Sequence, residues 1–377
     1  MNRSVSLVFV LVFLTASCMV IIQPAKASAD SWVAKAPMPT ARFSFGVAVV
    51  NGKIYAIGGA INSSSALLAV NEEYDPILNK WTEKVPMPTP RYGFATVAYE
   101  NKIYVFGGGI DTNSTMTDET LVYDPATDSW AAKAPMPIAR MLLQANVVNG
   151  EIYLIGGYPY PNATLNEAYD PATDTWTTKA PIPIPAIACA SAVVDNKIHV
   201  ISGANFENAT SPLSTLSSTQ VYDPKTDTWS SGAPIPTPLD SAGVGLITDA
   251  EGQKAIYVVG GETDIFSPQS MVQIYFPENN SWSIGSSLPT PRSRLCAGVV
   301  SNALYAIGGT RTIGHQGLSG NEQYTLLGTV PTGSPSAPPS PSIPEFPSWI
   351  ILSFLAIAIL LAVISVRLRK KAKTPFS

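Results

Sequence analysis

Between residues 30 and 328 the chain alternates short apolar runs with turn residues, and the alternation returns about every fifty residues. The first unit shows the pattern. Residues 45–50, 54–57, 70–74 and 81–84 each read as a short strand. Asn51-Gly52 joins the first two, and Asp75-Pro76 opens the turn before the fourth, both favourable hairpin chemistry. The first run of a unit is rich in small residues, as in Gly46-Val47-Ala48 and Ala242-Gly243-Val244-Gly245. Such strands suit a narrow axis where backbones converge. The second run is almost continuously apolar, as in Ile103-Tyr104-Val105-Phe106, which predicts a strand covered on both faces.

Fixed landmarks repeat in phase. Tryptophans stand at 32, 81, 130, 176, 229 and 282. Glycine pairs begin at Gly58, Gly107, Gly156, Gly260 and Gly308, with Ser202-Gly203 in the remaining slot. A tyrosine follows each pair: Tyr74, Tyr123, Tyr169, Tyr222, Tyr275 and Tyr324. The order apolar run, Gly-Gly, Tyr, Trp at this period resembles the kelch repeat, and six copies over residues 30–328 resemble a six-bladed kelch β-propeller, an all-β fold. Trp32 precedes the first glycine pair and no tryptophan follows Tyr324 before the spacer. Residues 31–35 are therefore expected to be the outermost strand of the last blade, whose other strands lie within 295–327. That closure leaves no open sheet edge.

The two ends predict a membrane protein. Residues 1–29 carry Arg3, an apolar run and a small-residue end around Ala27 and Ala29, the layout of a signal peptide; retention as a signal anchor is the alternative. Residues 329–347 form a Pro/Ser-rich spacer. The segment 348–366 contains an apolar run, 349–366, with no charged residue, long enough to span a hydrocarbon core of about 30 Å as a transmembrane helix. The tail 367–377 is basic, which places it in the cytoplasm and the repeats outside, on a single-pass cell-membrane protein. Pro344-Glu345-Phe346, the apolar span and the basic cluster together resemble the PEF-type sorting signals of archaeal surface proteins.

Charge narrows the function. Charged residues make up only 13% of the chain, and its net charge is −4. Seven of the 23 basic residues lie in the two ends, leaving 16 against 27 acidic groups in 30–346, a net of −11. Nucleic acid is not expected as a partner of so acidic a domain.

Candidate chemistry is sparse. No HExxH, GxSxG, P-loop or CxxC pattern occurs. Kelch enzymes of the galactose-oxidase type hold copper with histidines and tyrosines, but this chain has only His199 and His315, so no metal or other cofactor is expected. Cys189 and Cys296 read as small buried residues on non-adjacent blades, and the repeated Asp75, Asp124, Asp170 and Asp223, with Asp128, Asp174 and Asp227, read as turn formers. N-x-S/T sequons at Asn62, Asn113, Asn162, Asn208 and Asn279 are candidate glycosylation sites.

Arg42, Arg91, Arg140 and Arg292 share one repeat position just before the innermost strand, where units four and five carry Ala186 and Leu239. They are expected to form a broken ring at one mouth of the channel, a ligand face in other kelch proteins, and to bind an anionic group there. The alternative role for each is to hold backbone carbonyls. The expected function is a binding module for a protein or carbohydrate ligand. Two other readings stand beside it. One is a sugar-active enzyme resembling the sialic-acid mutarotase/epimerase group, using the arginines with a carboxylate such as Glu262. The other is a structural surface component.

Overall fold

A β-hairpin of alternating residues buries one face, but a run such as Ile152-Tyr153-Leu154-Ile155 must be covered on both, and stacking sheets around an axis achieves this. A computed structural model describes residues 30–326, apart from 63–66, 160, 207–212, 250, 264–266 and 312–315. In it, six four-stranded antiparallel sheets form the blades of a propeller, and a two-stranded hairpin, Ala204–Phe206 with Leu213–Thr215, extends a loop of blade 4. Blade 1 consists of Gly46–Val50, Lys53–Ile57, Asn71–Asp75 and Lys80–Lys84, within one residue at each end of the expected strands. The signal peptide, spacer, C-terminal helix and basic tail lie outside the described residues, as do Asn208 and His315.

Closure occurs as expected. Ser31–Ala34 is the outer strand of the last blade, pairing Trp32 with Tyr324 and Val33 with Gln323, beside Ala303–Ile307 and Cys296–Val300. The chain's first described strand thus completes its last sheet.

The core lies between blades. Ile54, Tyr74 and Trp81 of blade 1 pack on Val300, Tyr305 and Ile307 of blade 6, and five similar clusters fill the other gaps. Aromatic residues fill the space that widens outward: each repeat Tyr is at most 2% exposed, and its ring centroid lies 4.9–5.0 Å from that of its blade's Trp. Every repeat Trp also donates its indole N–H to a carbonyl after the preceding blade, at 2.8–3.2 Å.

The repeated acidic residues serve this frame. Asp75 Oδ1 accepts the N–H groups of Ile77 and Leu78 within its turn. Asp128 accepts the Tyr123 hydroxyl and the Val85 N–H; Asp174 and Asp227 make the same two contacts one and two blades on. Gly59, two residues beyond the second strand, has φ +96°, and a Cβ there would lie 2.7 Å from the Phe43 carbonyl oxygen. In blade 4, Ser202 takes the first glycine's place at φ 56° and accepts the Leu239 N–H, one reason a side chain is tolerated there.

Candidate functional site

The residue two positions after the repeat arginine has a left-handed backbone in every blade: Ser44, Gly93, Leu142, Ala188, Ser241 and Arg294, at φ 49–60°. For non-glycine residues this conformation costs roughly 1 kcal/mol each. The return is a closed cycle. Each of the six donates its N–H to the carbonyl of its counterpart in the preceding blade, from Gly93 to Ser44 and finally from Ser44 to Arg294. This ring encircles the mouth of a central cavity of about 300 Å³, whose walls are mostly backbone and small side chains of the innermost strands. Arg294 is the one charged residue lining it.

The four predicted arginines are not presented to this cavity. Arg42, Arg91, Arg140 and Arg292 are 0–1% exposed, and none of them lines the mouth. Each instead holds a glutamate and a carbonyl of its own blade. Arg42 pairs with Glu72 at 2.7 Å and donates to the Ala56 carbonyl at 2.8 Å. Arg140 pairs with Glu167 at 2.7 Å, and Arg91 and Arg292 pair with Glu119 and Glu322. Blades 4 and 5 supply the explanation. Where Ala186 and Leu239 replace arginine, Gln220 and Gln273 replace glutamate, and their amides bond both the N–H and the carbonyl of Ile184 and Thr237. The charge and its partner vanish together, which marks the arginines as parts of the frame. The ring at the mouth is therefore built from backbone, and in place of the expected ring of guanidinium groups the cavity is lined by one cation, the half-buried Arg294.

Arg294 has an unusual neighbourhood. The residue just after the repeat arginine position forms an antiparallel bridge with the residue after the glycine pair. These couples are Phe43 with Ala60, Tyr92 with Gly109, Met141 with Tyr158 and Ile187 with Ala204. In blade 5 the couple is Asp240 with Glu262, and in blade 6 Ser293 with Thr310. Glu262 is 3% exposed; it accepts the Ser293 hydroxyl at 3.1 Å and pairs with Arg294 Nη2 at 3.3 Å. Asp240 is 6% exposed, and burial first, with the Glu262 charge adding to it, pushes its carboxyl up to about 6. Glu262 thus meets an arginine, Arg294, which is not one of the four at the repeat position that the enzymatic reading set beside it. Neither carboxylate lines the cavity.

Other candidates occupy framework positions. His199 stands where each of the other five blades, for example at Tyr55 and Tyr104, has a tyrosine in mid-strand, and burial pushes its imidazole down to about 4. Cys189 and Cys296 are free thiols, pushed up to about 12 by burial. Among the described residues no cluster of three or more His, Cys, Asp or Glu side chains could hold a metal ion. Of the sequons, Asn113 and Asn279 are exposed, and Asn62 and Asn162 half-buried.

Arg294 and Asp240 are not among the residues that the repeat landmarks single out, although the sequence carries a signal for both. Pro291-Arg292-Ser293-Arg294 holds two arginines, of which only the first matches the repeat position. Setting the units side by side places Asp240 against Phe43, Met141 and Ile187.

Comparison with known proteins agrees with this architecture. At 17% identity, the solved structure of YjhT superposes with a TM-score of 0.63 over 76% of this chain and 95% of that one, a likeness of fold. Mouse Kelch-like protein 35 is 33% identical over 97 residues, 26% of this chain and 16% of that protein. Human Kelch-like protein 23 is 35% identical over 98 residues, 26% of this chain and 17% of its own length. The matched stretch thus spans about a sixth of these relatives. The model of the KLHDC2/KLHL20/DRC7 Kelch-repeats domain matches residues 16–157 and 93–309, and with six blades in register the chain belongs to the kelch-repeat family.

Proposed function

We propose that this chain is a membrane-anchored, extracytoplasmic kelch module that binds an acidic group of a protein or carbohydrate ligand at the channel mouth, with Arg294 as the contacting cation. One observation carries the reading: in a domain of net charge −11, a single arginine opens into a cavity otherwise lined by uncharged residues. A guanidinium whose carboxylate partner occupies only one of its edges keeps donors for a second. The anchor rests on the apolar run at 349–366 and its basic flank, and the outside location on that flank together with the leader. N-glycans at Asn113 and Asn279 belong to the same reading, since both side chains are exposed.

The test is binding of glucuronate and of a short poly-glutamate peptide to the full chain in detergent, with glucose as the uncharged control. Saturable binding of an acidic probe, lost in Arg294→Gln at an unchanged melting temperature, is the expected result. Equal binding by the variant refutes the assignment.

The Asp240–Glu262 couple favours a second reading, turnover of a sugar, because a carboxyl group whose proton affinity is raised to about 6, set beside a second carboxyl group, can move protons. Their position behind the cavity wall favours binding instead. Exchange spectroscopy of glucuronate anomers decides: faster exchange with the protein present supports the enzyme.

A further inference from the structure

Resting on the reading of Arg294 as the contact at the mouth, we propose that the buried Asp240–Glu262 couple makes anion binding there proton-coupled, so that a carboxylate enters together with a proton. A repeat protein offers an internal comparison for each of its positions. Four blades fill the bridging couple with apolar or aromatic side chains or glycine. Blade 5 fills it with two carboxyl groups, each nine-tenths or more buried. Burying two like charges side by side is unfavourable, and an apolar couple is at least as stable. The acid couple is therefore dispensable for the propeller and needs another explanation.

Its surroundings supply one. Asp240 lies in the connection leading into blade 5, Glu262 in the loop after the second strand of that blade, and Arg294 and Ser293 in the connection leading into blade 6. The charged groups acting on Asp240 are Glu262 and Arg294, with the Ser241 side chain hydrogen-bonded to it. Glu262 in turn bonds Ser293 and Arg294. Two acids and one base share this corner. With both carboxyl groups ionised the trio carries one net negative charge, and it repels an anion approaching the edge of Arg294 that lines the cavity. With one proton shared between them the trio is neutral, and that edge accepts a carboxylate. The elevated affinity of Asp240 for a proton places the change near pH 6.

Linkage sets the direction. A bound anion adds negative charge beside the couple and raises its proton affinity further, so binding takes up protons at neutral pH and tightens as pH falls. Affinity levels off once the free couple already holds its proton.

Calorimetry of the full chain with lactate and glucuronate, at pH 5 and 7.5, tests the coupling; repeating the pH 7.5 titration in two buffers of different ionisation enthalpy counts the protons. Both probes stay ionised over most of this range. The expected result is roughly tenfold tighter binding at pH 5, the effect of about one unit of coupled proton affinity, with net proton uptake at pH 7.5. Asp240→Asn, which fixes one member neutral, should bind with the pH 5 affinity at both values and take up no proton. Equal affinity and no uptake in the unaltered protein overturn the coupling while leaving Arg294 as the contact. The coupling is overturned equally if Asp240→Asn keeps the full pH dependence. Absence of binding by either probe at either pH overturns the contact itself, and the coupling with it.

Discussion

Arginine at four equivalent positions illustrates how a residue type is legible while its role is not. The sequence places Arg42, Arg91, Arg140 and Arg292 before the innermost strand, but only packing decides whether a guanidinium points along the axis or back into its blade. Here Glu72, Glu119, Glu167 and Glu322 draw them inward. Removing one member of such a pair strands its partner's charge, so Arg140→Leu should destabilise the protein by about 3–5 kcal/mol. The double change Arg140→Leu with Glu167→Gln copies Leu239 and Gln273 of blade 5 and should restore most of that loss. Denaturant melts of the two variants check this, and a double variant no better than the single one contradicts it. Asp240 makes an opposite prediction. Its proton affinity is raised from the usual 3.8 to about 6, so the folded state binds more protons than the unfolded chain between these values. Its contribution is most favourable below pH 4 and is lost as pH rises through 6. Asp240→Asn should therefore stabilise the protein by roughly 2 kcal/mol at pH 7.5 and have little effect at pH 4. Melting temperatures at the two pH values read this directly.

At the scale of elements, the strands of blade 1 were legible to within a residue because hairpin turns such as Asn51-Gly52 punctuate them and the tryptophan period fixes their phase. The partner of the first strand was legible by counting alone, since one tryptophan lacked a blade and one blade lacked a tryptophan. The ring of six backbone hydrogen bonds around the mouth was not legible. Ser, Gly, Leu, Ala, Ser and Arg share no side-chain chemistry, and only the curvature of the assembled blades imposes a left-handed backbone on all of them. Closure carries a prediction of its own. Deleting residues 31–35 removes the ladder to Asn321–Thr325 and the indole of Trp32 from its cluster. Unfolding should broaden and lose cooperativity, because an open arc exposes the flanks of blades 1 and 6. A deleted protein that melts as sharply as the intact one would show that the strand is an accessory.

For the whole molecule, six clusters between six blades spread the stabilising contacts around the circumference, which leaves the axis free to hold a cavity. Symmetry of the frame makes departures from it informative. The couple Asp240–Glu262, the polar couple Ser293–Thr310 and Arg294 all fall in blades 5 and 6, so the polar side chains around the axis are one-sided, with Arg294 lining the cavity, although the backbone ring is nearly six-fold. The proposed membrane anchor belongs to this scale as well. If the proposed anchor segment 348–366 is retained, the intact mass of the mature protein includes residues 367–377; a mass ending before them would show processing near Pro344-Glu345-Phe346. Binding at the mouth turns on which arginine meets the ligand. Side-chain NMR of the arginine-labelled chain, titrated with glucuronate at pH 5, separates the alternatives. The guanidinium signal of Arg294 should move while those of Arg42, Arg91, Arg140 and Arg292 stay fixed. Saturable movement of the four buried signals with a stationary Arg294 would contradict the assignment.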